Sequence, residues 1–146
     1  FIKQIEFANQ MNLPLNIHSR DSHLDTLEIL KRYNKNSIAI LHCFSGSLEF
    51  AKECIKEGIY IALGGVVTFK NAVEAKEVAK EIPLEYLQLE TDDPYLTPVP
   101  FRGTENQPSY VKYVAQEIAK LRGISIDDVA KQTTANAERI FNFNAK

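Results

Sequence analysis

A chain of 146 residues, 45% hydrophobic and 25% charged, is long enough to bury a core of its own and has the composition of an ordinary soluble domain. A formal charge of −2 and a pI of about 5.9 exclude a basic coat for nucleic acid, so a polyanion would have to be gripped locally, by a few cations or a metal. Cys43 and Cys54 stand outside any CxxC arrangement and read as reduced thiols; neither a membrane-length apolar run nor a signal peptide is evident, so the cytoplasm is the expected compartment.

The chain opens on Phe1 inside a helix-like pattern (Ile2, Ile5, Met11), as though in the middle of a protein. Four runs rich in β-branched or apolar residues follow, about 25 residues apart: "LPLNIH" (13–18), "SIAILHC" (37–43), "IYIALGG" (59–65) and "EYLQLET" (85–91). Helical spacing fills the intervals at 22–33, 47–57 and 70–81. Ser22 and Ser47 are expected N-caps, Gly58 a C-terminal stop, and Pro14 and Pro83 lead into strands. A loop, "DPYLTPVPFRGTENQP", then leads to helices at 108–122 and 126–141, the last opened by a capping-box-like pair, Ser125 and Asp128. Loops of that length in compact domains are usually functional or disordered.

Alternating strands and helices predict a parallel sheet flanked by helices, either an open doubly wound sheet or part of a (β/α)8 barrel. No GxGxxG or GxxxxGK[ST] favours the nucleotide-binding form of the open sheet. Side chains two apart share a face of a strand. His18 therefore goes with Asn16 and Arg20, His42 with Ile38 and Ile40, and Asp92 with Glu90 and Gln88, while Leu87 and Leu89 face the helices. Three strands thus deliver His18, His42 and Asp92 to one rim, the rim where parallel α/β proteins keep their active sites.

Two imidazoles and a carboxylate suit a divalent ion, zinc or manganese, or magnesium if more carboxylates join. Asp92 could both ligate and accept a proton from an attacking water. Arg20 is the better candidate to neutralise a phosphate, ahead of Arg102. Glu90, one layer deeper, needs a buried partner. Asp93 is assigned to the turn before Pro94, and His23 to a surface or supporting place. Ser45 with His42 and Asp92 supplies the residue types of a triad, but no GxSxG surrounds it. Gly64 and Gly65 could admit a phosphate to backbone N–H groups.

"NIHSRD" (16–21), "LHCFSGS" (41–47), "ETDDPYLTP" (90–98), "RGTENQPSYV" (102–111) and "TTANAERIF" (133–141) occur in order, and together they closely resemble the TatD-type metal-dependent deoxyribonucleases, within the amidohydrolase-like metallohydrolases. The resemblance implies a (β/α)8 barrel that hydrolyses DNA phosphodiesters, with His18, His42 and Asp92 as metal ligands, Asp92 also helping to activate water, and two Mg, Mn or Zn ions in the complete protein. It also implies an HxH strand and a glutamate ligand upstream, which are absent; the histidines here are His18, His23 and His42. The expectation is therefore a single domain over 1–146, the C-terminal part of a TIM barrel: about four βα units plus C-terminal helices, lacking its N-terminal strands. A missing N-terminal half or a second chain would complete it around a DNA substrate, with no membrane partner. The alternatives are an amidohydrolase-type ester or amide hydrolase, and a catalytically silent half-barrel serving as an interaction module.

Overall fold

The computed structural model describes residues 1–142. The four apolar runs form the short strands β1 (Leu15–His18), β2 (Ala39–His42), β3 (Tyr60–Leu63) and β4 (Leu87–Leu89), paired in parallel in the order β1-β2-β3-β4. Helices α1 (Ile2–Met11), α2 (His23–Tyr33), α3 (Leu48–Lys56) and α4 (Val73–Glu81) precede and connect them, and α5 (Val111–Arg122) and α6 (Ile126–Phe141) follow. This is the α/β architecture expected. Among the described residues the sheet does not close: β1 and β4 are its two edges. No described helix is long and apolar enough to cross a membrane.

The side-chain alternation read from the sequence separates two apolar clusters. Ile17, Leu41, Ile61, Leu63 and Leu87 face the helices and join Leu27, Leu30, Ala51, Val78 and Ile118 in the main core. On the opposite face Ile40, Tyr60 and Ala62 pack with Ile140 near the C-terminal end of α6. There the Arg139 guanidinium donates to the Tyr60 hydroxyl at 3.2 Å. Because β2 and β3 are buried on both faces, their residues are apolar almost without interruption, as parallel strands between layers must be.

Helix α6 is also fastened to the sheet by a buried polar side chain. Asn136, fully buried, donates from Nδ2 to the carbonyl oxygens of Leu84 (2.9 Å) and Leu87 (2.7 Å), and its Oδ1 accepts from the Gln132 side-chain amide at 2.9 Å. Those carbonyls lie at the entry to β4, and that of Leu84 also accepts the Leu87 backbone N–H, so the side chain adds to the backbone's own bonding there.

Several boundaries differ from the sequence reading, each for a local reason. Residues 65–68 leave the third strand as a 3-10 turn, which delays α4 to Val73. A second 3-10 turn, Leu84–Tyr86, shortens β4. Ser47 caps α3 by accepting from Phe50 N (3.2 Å), and Ser125 caps α6 by accepting from Asp128 N (3.0 Å). Ser22 does not cap α2: its hydroxyl sits 3.5 Å from that of Ser19, in a polar cluster that continues to Thr26.

Candidate metal centre

The parallel register sets the histidines side by side. His18 and His42 are paired residues of β1 and β2, and their ring centroids stand 5.4 Å apart. Glu90 follows β4, and both of its carboxylate oxygens are engaged with the end of β2: Oε2 lies 3.0 Å from His42 Nδ1, and Oε1 accepts the Cys43 backbone N–H at 2.6 Å. That is the partner Glu90 was expected to need. A carboxylate only accepts, so Nδ1 carries the ring hydrogen and Nε2 presents its lone pair to the rim. Asp92 Oδ1 is 3.9 Å from that Nε2.

Asp92 reaches this place by a turn rather than by continuing the strand. Its φ is +60°, a left-handed conformation that Asp tolerates better than most residues, and Tyr95 N closes the turn on the Asp92 carbonyl at 3.0 Å. Asp93 and Pro94 are the central residues of this turn, as the sequence reading had it, and Asn106 holds it from outside. Only 4% exposed, Asn106 donates from Nδ2 to the carbonyls of Thr91 (2.6 Å) and Tyr95 (2.7 Å), and its backbone N–H donates to that of Pro94 (3.0 Å).

The same loop leans on the 3-10 turn after β3. Val99 N donates to Thr68 Oγ1 at 2.9 Å, and Gly65 lies so close to the Leu96 carbonyl that a Cβ at this position would overlap it. Gly65 is therefore explained by the approach of the loop, not by a phosphate cradle. Periodicity could not reveal Asn106, Thr68 or Gly65, because each acts on backbone far away in sequence; Asn106 was marked only by membership of an ordered motif, Gly65 only as one of two glycines at a strand end, and Thr68 by nothing.

Arg20 is exposed and lies on the same rim, where its positive charge opposes the rise in the Cys43 thiol pKa. Burial, reinforced by the charges of Asp92 and Glu90, pushes that pKa up to about 11 despite Arg20. His23 is half-buried, in the supporting place the sequence allowed. Its ring stacks on Phe50 at 5.0 Å and on Phe44 at 6.4 Å, and its Nδ1 is 3.0 Å from the Ser19 hydroxyl.

The donor set suits a divalent ion in one respect above all. A ligating histidine usually gives its second ring N–H to a carboxylate, and His42 does so to Glu90. With ligand bonds of about 2.0 to 2.2 Å, two donors 3.9 Å apart are within the span of one ion. His18 stands a step away: among the described residues, no group of three or more His, Cys, Asp or Glu side chains is gathered closely enough to hold a metal.

A family model described as TatD related DNase matches residues 1–142. The chain belongs to this TatD-related family. TatD-family relatives include an uncharacterized metal-dependent hydrolase of Bacillus subtilis, YabD, 51% identical over 145 residues, which cover 99% of this chain and 57% of YabD. Another, YcfH of Escherichia coli, is 41% identical over 146 residues, covering 99% of this chain and 55% of YcfH. The crystal structure of YjjV, a TatD homolog from E. coli, superposes with a TM-score of 0.88 at 31% identity, over 96% of this chain and 54% of YjjV. The chain thus spans a little over half the length of the relatives it matches.

Proposed function

We propose that this chain forms part of a divalent-metal-dependent hydrolase of DNA phosphodiesters, built on a (β/α)8 barrel of which β1 to β4 are consecutive strands. The observation that carries the metal site is the Glu90–His42 contact, 3.0 Å at Nδ1, which leaves Nε2 facing Asp92 Oδ1. Support for the hydrolase class comes from the matched family and from relatives named metal-dependent hydrolases. DNA as the substrate rests on the family description and the ordered motifs.

His42, Asp92 and His18 would hold the metal, with donors from the remainder of the barrel completing its coordination. Zinc, manganese or magnesium there would polarise the phosphoryl oxygen and acidify a bound water. The chain's own residues do the rest. Glu90 fixes the His42 ring by holding Nδ1–H, so the imidazole does not rotate out of line. Asp92, on a turn pinned by Asn106, accepts the proton of the attacking water at Oδ1 or Oδ2. Arg20, exposed on the rim, balances charge on the phosphodiester.

The test offers a DNA oligonucleotide and a carboxylic ester side by side to the protein after chelation and after restoration of Mg, Mn or Zn. Cleavage of DNA that returns with metal and falls at least a hundredfold in Asp92→Asn is the expected result. Chelator-resistant cleavage, or undiminished activity in Asp92→Asn, would refute the metal reading; hydrolysis of the ester alone would refute the substrate.

A further inference from the structure

Beside the rim lies a cavity of about 310 Å³, between the segment after β2, the segment after β3 and the first turn of α4. That volume is at the small end of the range for ligand pockets. Phe44, Leu63, Val66 and Ala75 give it apolar walls. Ser45 and Asn71 add a hydroxyl and an amide, both on exposed residues and neither side chain hydrogen-bonded among the described residues. Glu74 is the one charged residue lining it, and it is an anion. A phosphate would meet repulsion there and no cation. A neutral planar group, apolar on its faces and polar at its edge, finds matching partners.

The cavity is contiguous with the metal centre. Cys43, part of its lining, donates its backbone N–H to Glu90 at 2.6 Å. Gly64, also in the lining, is so near that a Cβ there would stand 3.4 Å from Glu90 Cγ. A group seated in the cavity is therefore separated from the His42–Asp92 pair by little more than the Glu90 side chain.

We infer that this cavity receives the base of the nucleotide next to the scissile phosphodiester. The inference rests on the phosphodiester reading above and adds to it a base-binding site that takes a neutral ring and excludes phosphate. Binding would place the ring between Phe44 and Val66, its edge toward the Ser45 hydroxyl and the Asn71 amide.

Titration of the chain with deoxynucleosides, followed by methyl NMR, tests the cavity without metal or turnover. The Val66 and Ala75 methyl signals are expected to shift with a deoxynucleoside and not with deoxyribose alone, and Asn71→Ala should weaken that binding. In cleavage assays, a DNA substrate with an abasic residue beside the scissile bond should show KM raised about tenfold, the loss of one stacked base. Ala75→Phe, which fills the cavity, should abolish the difference between the two substrates. DNA cleaved with equal KM whether or not that base is present, together with unmoved methyl signals, overturns the inference and leaves the phosphodiester reading standing. Methyl shifts with deoxynucleosides in a protein that cleaves no DNA support the base site and overturn the phosphodiester reading instead.

Discussion

Replacing Asn136 by alanine removes both donors that reach the entry of β4. The Leu87 carbonyl would lose a wholly buried bond of 2.7 Å with no access to water; the Leu84 carbonyl, bonded at 2.9 Å and partly reached by solvent, keeps the Leu87 backbone N–H. An unsatisfied buried polar group costs about 1 to 3 kcal/mol, so the penalty at Leu87 and the small void left behind together amount to about 2 to 4 kcal/mol. Against a total stability of about 5 to 15 kcal/mol this is a large fraction. At about 2 to 4 °C per kcal/mol for chains of this size, the midpoint of thermal unfolding should fall by about 4 to 16 °C. Circular dichroism melts and urea titrations of the wild type and Asn136→Ala measure it. Asn136→Asp separates donation from size: its carboxylate keeps the volume but faces two carbonyl oxygens, so burial and those carbonyls hold its pKa above the unfolded value. Its stability should therefore decline as pH rises through the range between the unfolded and folded pKa values. A loss below about 1 kcal/mol in Asn136→Ala, or an aspartate variant indifferent to pH, would refute the view that these two bonds fasten α6 to the sheet.

Glu90→Gln should lower divalent-metal affinity about 10- to 100-fold by calorimetry while the fold persists. The amide can still accept from Cys43 N, but its NH₂ would donate to His42 Nδ1 and move the ring hydrogen to Nε2. Unchanged affinity would separate His42 from the metal. Gly65→Ala should cost about 1 to 3 kcal/mol in urea unfolding, because the added methyl overlaps the Leu96 carbonyl and backbone must yield on one side; wild-type stability would show that the loop does not bear on this turn. Burial holds the thiol of Cys43 at about 11 and that of Cys54 at about 12. Both folded values lie above the unfolded one, so stability is complete below about pH 9 and declines as pH rises beyond it, a trend that melts between pH 8 and 11 should show and that the double alanine variant should lessen. At pH 8 Cys43 should react with a disulfide reagent about a hundredfold more slowly than a free thiol, and faster in Asp92→Asn.

How far the sequence reaches depends on the range of the interaction. The placement of His18, His42 and Glu90 follows from two short-range rules, alternation along a strand and the common rim of parallel strands, and both hold in the register that pairs His18 with His42. Alternation does not extend to Asp92, which lies beyond β4 in a left-handed turn; it still meets His42 because the turn folds back over the rim. The failures are of one kind. Ser22 sits where an N-cap belongs, yet its hydroxyl turns toward Ser19, whose position is set by tertiary packing. Asp93 and Pro94 form the turn as read, but the part of Asn106, which holds that turn from elsewhere in the chain, was missed. Side-chain bonds to distant backbone have no period, so neither Asn106 nor Asn136 could be found by spacing.

The attachment of the loop after β4 also bears on which changes of length the chain can absorb. Surface loops ordinarily accept insertions at little cost. Here Asn106 must return to the carbonyls on either side of Asp92, while Val99 and Leu96 lie against Thr68 and Gly65. One residue added between Pro94 and Asn106 would displace the Asp92 carboxylate, encoded upstream of the insertion. For transplanting this rim onto another scaffold, residues 64–68 and 90–107 therefore form one indivisible part.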